Sequence, residues 1–268
     1  MDSYTHRSLT APREFGADIK TYARAINRSF ARAILDALPR HIRDRIYSQL
    51  LLRPNTRITV CDAKLPRQIR CGHNYMEAHQ SFWKLPQLKH YYDPLYVGED
   101  FAREVAEAHY STSTFYFDYH ELYLTQKFLT VDRFGYGFKP MELVRSVELV
   151  LDPSLTCVCN SNALAHHDLA PGGLSYAAGI QRCLEQLLGL ASRSVRIKII
   201  VLGCQARSYR LRERSKEIYD IVYAFLTHCR ERGFRFAVEV FGDSGSEWSI
   251  DDTVEGGMET ALQRVRDM

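Results

Sequence analysis

Three runs of β-branched and aromatic residues in the second half of the chain, separated by two helical repeats, do most to restrict the fold. "SVELVLD" (146–152), "VRIKIIVLG" (195–203) and "FRFAVEVFG" (234–242) are bounded by turn residues and read as strands. Between the first two, after Pro171-Gly172-Gly173, the residues Tyr176, Ile180, Leu184, Leu187 and Leu188 recur at helical spacing. Between the second and third, Ile218, Ile221, Val222, Phe225 and Leu226 do the same, and Gly233 suits the helix exit. The order β-α-β-α-β implies parallel strands, because a helix between consecutive strands carries the chain back to its starting edge. The early positions of each strand are polar: Ser146 and Glu148, Arg196 and Lys198, Arg235 and Glu239. A parallel sheet covered on both faces shows nearly unbroken apolar runs, so one face is expected to be partly open. The expected class is α/β, a mostly parallel sheet with crossover helices in an arc-like or solenoid-like array, with a compact doubly wound domain as the alternative.

In a parallel sheet, ligands gather beyond the carboxyl ends of the strands. Asp152 lies there, and so do two charge runs: Arg207, Arg210, Arg212, Arg214 and Lys216 in the expected loop after Gly203, and Asp243, Glu247, Asp251, Asp252 and Glu255 after Gly242. The two runs are expected to lie near each other. The arginines form either an anion or acidic-partner patch or one half of a surface ion-pair network.

The first half has a different pattern. Residues 1–16 are polar, carry Pro12 and Gly16, and read as a flexible terminus. From Asp18 a helix is expected, with Ile19, Tyr22, Ala23, Ile26, Phe30, Ala33 and Ile34 on an apolar face. Arg24, Arg28 and Arg32 form a basic ridge on another face, read as solvated. That helix ends near Ala37, and Pro39 suits the first position of a second one. There Leu38, Ile42, Ile46 and Leu50 make a stripe at four-residue steps, and "RPN" (53–55) supplies the stop. The stripe either packs internally or docks a partner. "TRITV" (56–60) then reads as a strand, so the expected division is 1–16 terminus, 17–55 helical segment and 56–268 α/β domain.

"LPRHIRDRIYSQLL" (38–51) resembles the "LPxEIRxxIYxxLL" opening of the F-box-like proteins of filamentous ascomycete fungi. "YVGEDFAREVAEAHYSTSTFYFD" (96–118) is similar to the family's later helix rich in alanine and glutamate followed by a strand beginning "TF", and "MELVRSVELVLD" (141–152) to its "xxVRxLxIxL" strand. Two departures stand out: Arg40-His41 replace the family's Glu after Leu-Pro, and the chain turns to a strand where an F-box continues into further helices. The resemblance implies a protein-interaction module whose F-box-like helices hold a Skp-type adaptor of a cullin ubiquitin ligase through Leu38, Pro39, Ile42, Ile46 and Leu50, while the sheet holds a target protein. The alternatives are a scaffold or accessory protein of a fungal pathway without adaptor binding, and an enzyme of unknown class.

Composition narrows the rest. A formal charge of +3 over 268 residues falls short of the basic footprint of a nucleic-acid binder. No run reaches the roughly 18 apolar residues of a membrane span and no signal-peptide pattern opens the chain, so a cytoplasmic or nuclear location is expected. Seven cysteines, an odd number, read as reduced thiols without a disulfide framework. Neither Cys157-x-Cys159 nor Cys71-x-His73 has a second matching pair, and His73, His79 and His90 lack His-x3-His spacing, so no metal or cofactor is expected. His166, His167 and Asp168 are the one local concentration of acid–base candidates, ahead of Gly172-Gly173. No nucleophile elbow, Walker loop or dinucleotide fingerprint accompanies them, so binding is expected rather than catalysis.

Overall fold

The computed structural model describes residues 11–51, 57–60, 80–81, 90–119, 121–152, 176–190, 194–202, 209–241 and 247–251. The chain is mixed α/β and divides into two compact units. One takes in Met1–Leu51 and Gln87–His109, the other Leu52–Pro86 and Tyr110–Met268. The helical unit is discontinuous in sequence: its second piece, 87–109, lies within the stretch expected to form the α/β domain.

The helical unit contains α1 (Ala11–Ala37), α2 (Arg40–Leu51), a short 3-10 turn (His90–Tyr92), α3 (Pro94–Val97) and most of α4 (Glu99–Thr112). The backbone is helical from Ala11, so residues 11–16 do not belong to the loose terminus expected there. Pro12 fits there because the first turn needs no N–H from it. Pro39 sits just ahead of α2, where its carbonyl accepts from the N–H groups of Ile42 (3.0 Å) and Arg43 (3.2 Å). Asp93 caps α3 by accepting from the Leu95 N–H at 2.9 Å, with Pro94 in the first turn.

Among the described residues the second unit has seven strands: β1 (Arg57–Thr59), β2 (Gln80–Ser81), β3 (Thr114–Phe117), β4 (Ser146–Leu151), β5 (Arg196–Leu202), β6 (Arg235–Phe241) and β7 (Glu247–Asp251). Their order is β2-β1-β3-β4-β5-β6-β7; every pairing is parallel except the antiparallel edge of β6 with β7. Helices α5 (Thr125–Thr130) and α6 (Pro140–Leu143) join β3 to β4, α7 (Tyr176–Leu187) joins β4 to β5, and α8 (Tyr209–Glu231) joins β5 to β6. The expected β-α-β-α-β order is present. At the end of α8, Gly233 has φ +74°, and the Phe234 N–H reaches back to the Cys229 carbonyl (2.9 Å) while the Gly233 N–H reaches Arg230 (3.0 Å). This is the paired closure for which a left-handed glycine is favoured.

Alternate strand residues on one face, among them Phe115, Phe117, Val147, Leu149, Leu151, Ile197, Ile199, Phe236 and Val238, form a single core with Phe128, Ile180, Leu184, Leu187, Val222 and Phe225 of the helices. The polar strand positions lie on the other face, and they do not mark an open surface at the centre of the sheet. Glu148 is 2% exposed, and its face-mates Val150 and Ile200 are buried too. Arg57 Nε lies 2.9 Å from Glu148 Oε2, and Lys198 Nζ lies 3.6 Å from Glu148 Oε1 and 2.6 Å from Glu239 Oε1. The ladder β1, β4, β5, β6 is thus tied by alternating charge. Burial lifts the Glu148 carboxyl above its ordinary range, with the Glu239 charge adding to it, against the pull of Arg57 and Lys198.

Candidate interaction surface

In the helical unit Phe101, Ala102, Val105 and Ala106 of α4 are buried, and polar residues add the contacts between helices. Arg43 of α2 grips Glu104 of α4 with two parallel hydrogen bonds, Nε to Oε2 at 2.8 Å and Nη2 to Oε1 at 2.7 Å. Its remaining nitrogen, Nη1, donates to the Leu35 and Leu38 carbonyls and so satisfies the end of α1. Tyr47, wholly buried, donates its hydroxyl to Glu104 at 2.9 Å and sets its ring edge-on to Phe101, centroids 5.1 Å apart. Arg40 adds bonds to Asp44 (2.7 Å) and Glu107 (2.8 Å). Burial pushes the Glu104 carboxyl up, but the hydrogen bonds from Arg43 and Tyr47 and the charges of Arg40 and Arg43 outweigh it, and the net shift is downward. Burial, then the Glu104 carboxylate, holds the Tyr47 phenol above its usual value.

The inward side of α2 is therefore Arg43, Tyr47 and Leu51, one position round from the stripe read in the sequence. Of that stripe, Leu38, Ile42 and Ile46 are half-buried, Pro39 is exposed and Leu50 is 46% exposed. The stripe is neither a sealed core nor a wholly free face. Nothing local in the sequence marks Glu104 as a partner of Arg43, because 61 positions separate them.

Helix α1 reverses the expectation for its two faces. Ala31 is buried, the Arg24 guanidinium lies over the Tyr96 ring at 5.2 Å, and Arg28 donates to the Pro94 carbonyl at 3.2 Å. Of the three arginines expected in solvent, Arg24 is half-buried, Arg28 is exposed but tied to the backbone of α3, and Arg32 is exposed. The Arg24 guanidinium can sit there because its flat face stacks on an aromatic ring and its stem is apolar. The apolar face is turned outward, with Ile19 56%, Tyr22 69%, Ile26 49% and Phe30 64% exposed. Including Leu50 and Leu95, the helical unit carries six of the nine large apolar side chains that stand exposed among the described residues.

Arg207 lies outside the described residues, while Arg210, Arg212 and Arg214 belong to the first turns of α8, where a loop was expected. On the acidic side, β7 runs back antiparallel, placing Glu247 opposite Phe241 but Asp251 opposite Ala237, several residues down the sheet. Asp243, Asp252 and Glu255 lie outside the described residues, as do Cys71, His73, His79, Cys157, Cys159, His166, His167, Asp168, Gly172 and Gly173.

Two other features of the sheet unit bring polar groups together. At the carboxyl end of β4 the Asp152 N–H donates to the Tyr176 hydroxyl at 3.3 Å, and burial raises that phenol. A groove of about 700 Å³ runs between α7 and α8, with Leu184 and Phe225 in its floor and Glu185, Glu217, Asp220, Lys216 and His228 along it. Neither holds a nucleophile beside a base, and no cluster of three metal-ligating side chains occurs among the described residues. Nor is any described helix long and apolar enough to cross a membrane. No protein-family model, curated protein or solved structure matches the chain.

Proposed function

We propose that the protein is an interaction module whose helical unit is its docking element, and that the partner at α2 is a Skp-type adaptor of a cullin ubiquitin ligase. The observation that supports docking is the concentration of exposed apolar side chains on that smaller unit, Ile19, Tyr22, Ile26, Phe30, Leu50 and Leu95. Exposed apolar side chains grouped on one element are the usual mark of a protein contact. The adaptor follows from the resemblance of 38–51 to an F-box-like opening, with Pro39 and Leu50 exposed and Leu38, Ile42 and Ile46 half-buried beside them. In this reading the sheet unit holds the target.

The alternative, a scaffold that binds no adaptor, draws support from Arg40. Where the family pattern has Glu, this chain has the exposed His41, and the guanidinium of Arg40 beside it is committed to Asp44 and Glu107. Binding of purified Skp-type adaptor to the full chain separates the two. Micromolar or tighter capture, weakened at least tenfold by Leu50→Asp with unchanged circular dichroism, is the expected result. No capture by the wild-type chain would reject the adaptor and leave the scaffold.

A further inference from the structure

We infer that the outward face of α1 is a self-association surface, on which the helix pairs antiparallel with α1 of a second copy across a two-fold axis. The inference rests on the reading of the helical unit as a contact surface and names the partner for one of its helices.

The residues of the stripe fall at Ile19, Tyr22, Ile26, Phe30, Ala33 and Ala37, steps of three and four that keep one line along the helix. All six are exposed. Their sizes are graded: the first four are large, the last two are alanines. A face of that kind complements itself when reversed. With the axis crossing near Arg28, Ile26 lies beside Phe30 of the partner subunit, Tyr22 over Ala33 of the partner subunit and Ile19 over Ala37 of the partner subunit. Large side chains then meet small ones, the arrangement that lets facing helices approach and interdigitate.

The area is sufficient. Exposures of 49–69% on four large side chains leave roughly 500 Å² bare on each copy, taking about 150–250 Å² for each side chain when fully bare. Two copies together reach the roughly 1,000 Å² that a specific interface needs before the rim is counted. The backbone of a helix has already satisfied its own hydrogen bonds, so this face can be buried without orphaning polar groups.

Charge does not oppose the pairing at long range. The exposed Asp18, Lys20, Arg28, Arg32 and Asp36 of α1 sum to only +1, and Arg28 is engaged at the Pro94 carbonyl. The one close like-charged pair, Asp18 with Asp36 of the partner subunit, falls at the wet ends, where repulsion is weak and screened by salt. An isologous contact of this kind closes at two copies and does not propagate.

The test is the mass of the full chain in solution by light scattering at tens of micromolar, for the wild type and for Tyr22→Asp/Ile26→Asp. The expected result is a mass near twice 31.0 kDa for the wild type and near 31.0 kDa for the variant, with unchanged circular dichroism. Should the double variant fail to fold, Ile26→Ala/Phe30→Ala serves in its place and is expected to weaken dimerisation at least tenfold. A monomeric wild type, a dimer that survives folded variants, or growth beyond two copies would each overturn the inference. Adaptor binding by the folded variant is scored separately. If it persists while wild-type mass stays monomeric, self-association fails and the docking reading stands; if the wild type dimerises but captures no adaptor, the reverse holds.

Discussion

Both units bury apolar side chains, but they join their elements in different ways. The sheet unit buries Leu149, Ile199 and Phe225 in a continuous apolar core and confines its ion ladder to one face. The helical unit packs α1 through Arg24 and Arg28, joins α2 to α4 through Arg43, Tyr47 and Glu104, and turns Ile19, Tyr22, Ile26 and Phe30 outward. A continuous apolar core suits a scaffold; helices clasped by charged groups that display apolar side chains suit a surface that other molecules cover.

The largest effect expected from this contrast is in the cost of shortening a side chain. Leu149 is wholly buried, so Leu149→Ala removes transfer free energy and leaves a cavity, at about 3 kcal/mol. Ile26→Ala, at dilution where the chain is monomeric, is expected to cost within about 0.5 kcal/mol because half of the side chain is already in water. Opening free energies from amide exchange at β4 and α1 measure both. Equal costs would mean that α1 is covered in solution by something within its own chain.

Next in size is the clasp. Arg43→Ala strips Glu104, a carboxylate 16% exposed, of its two short bonds and frees the Leu35 and Leu38 carbonyls. A fully buried pair broken in this way costs about 3–5 kcal/mol, and partial exposure reduces that to about 2 kcal/mol here. Arg43→Lys is expected to recover little, since an ammonium cannot supply the paired fork. Amide exchange in α2 and in residues 99–109 reports the loss. Full rescue by lysine would show the contact to be simple charge attraction.

How far each unit could be read from sequence follows the same divide. In the sheet unit the period of the strands, the helical repeats after Gly173 and before Gly233, and the turn residues all point to one answer, and the β-α-β-α-β order is found. Local pattern suffices there because apolar burial leaves a periodic trace. In the helical unit it misleads. Periodicity locates the apolar face of α1 but cannot say whether that face is packed, and a guanidinium over Tyr96 leaves no periodic sign. Glu104 and Tyr47 were missed for a related reason: their link joins segments of chain that the β1 and β2 region separates. The polar positions of β4, β5 and β6 were seen, but an open face and a buried ion ladder give the same sequence.

The finest test of the contrast is pH, because Glu104 and Glu148 are shifted in opposite directions. Glu104 has a folded-state pKa below its ordinary value, so the unfolded chain binds the extra proton between the two values. Its stabilisation is complete above the ordinary carboxylate range and is lost as pH falls through the lowered one. Glu148 is raised, so the folded chain binds the extra proton, and its ionisation removes stability as pH climbs from the ordinary range through the raised value. Amide exchange, corrected for its intrinsic pH dependence, should therefore show α4 loosening toward acid while β4 tightens over the window above the ordinary carboxylate range. Glu104→Gln should flatten the first trend and Glu148→Gln the second, each leaving the other in place. Parallel trends in the two elements would mean that Arg57 and Lys198 hold Glu148 ionised as firmly as Arg43 holds Glu104, and the ladder would then belong with the clasp as a stabilising pair rather than a strained one.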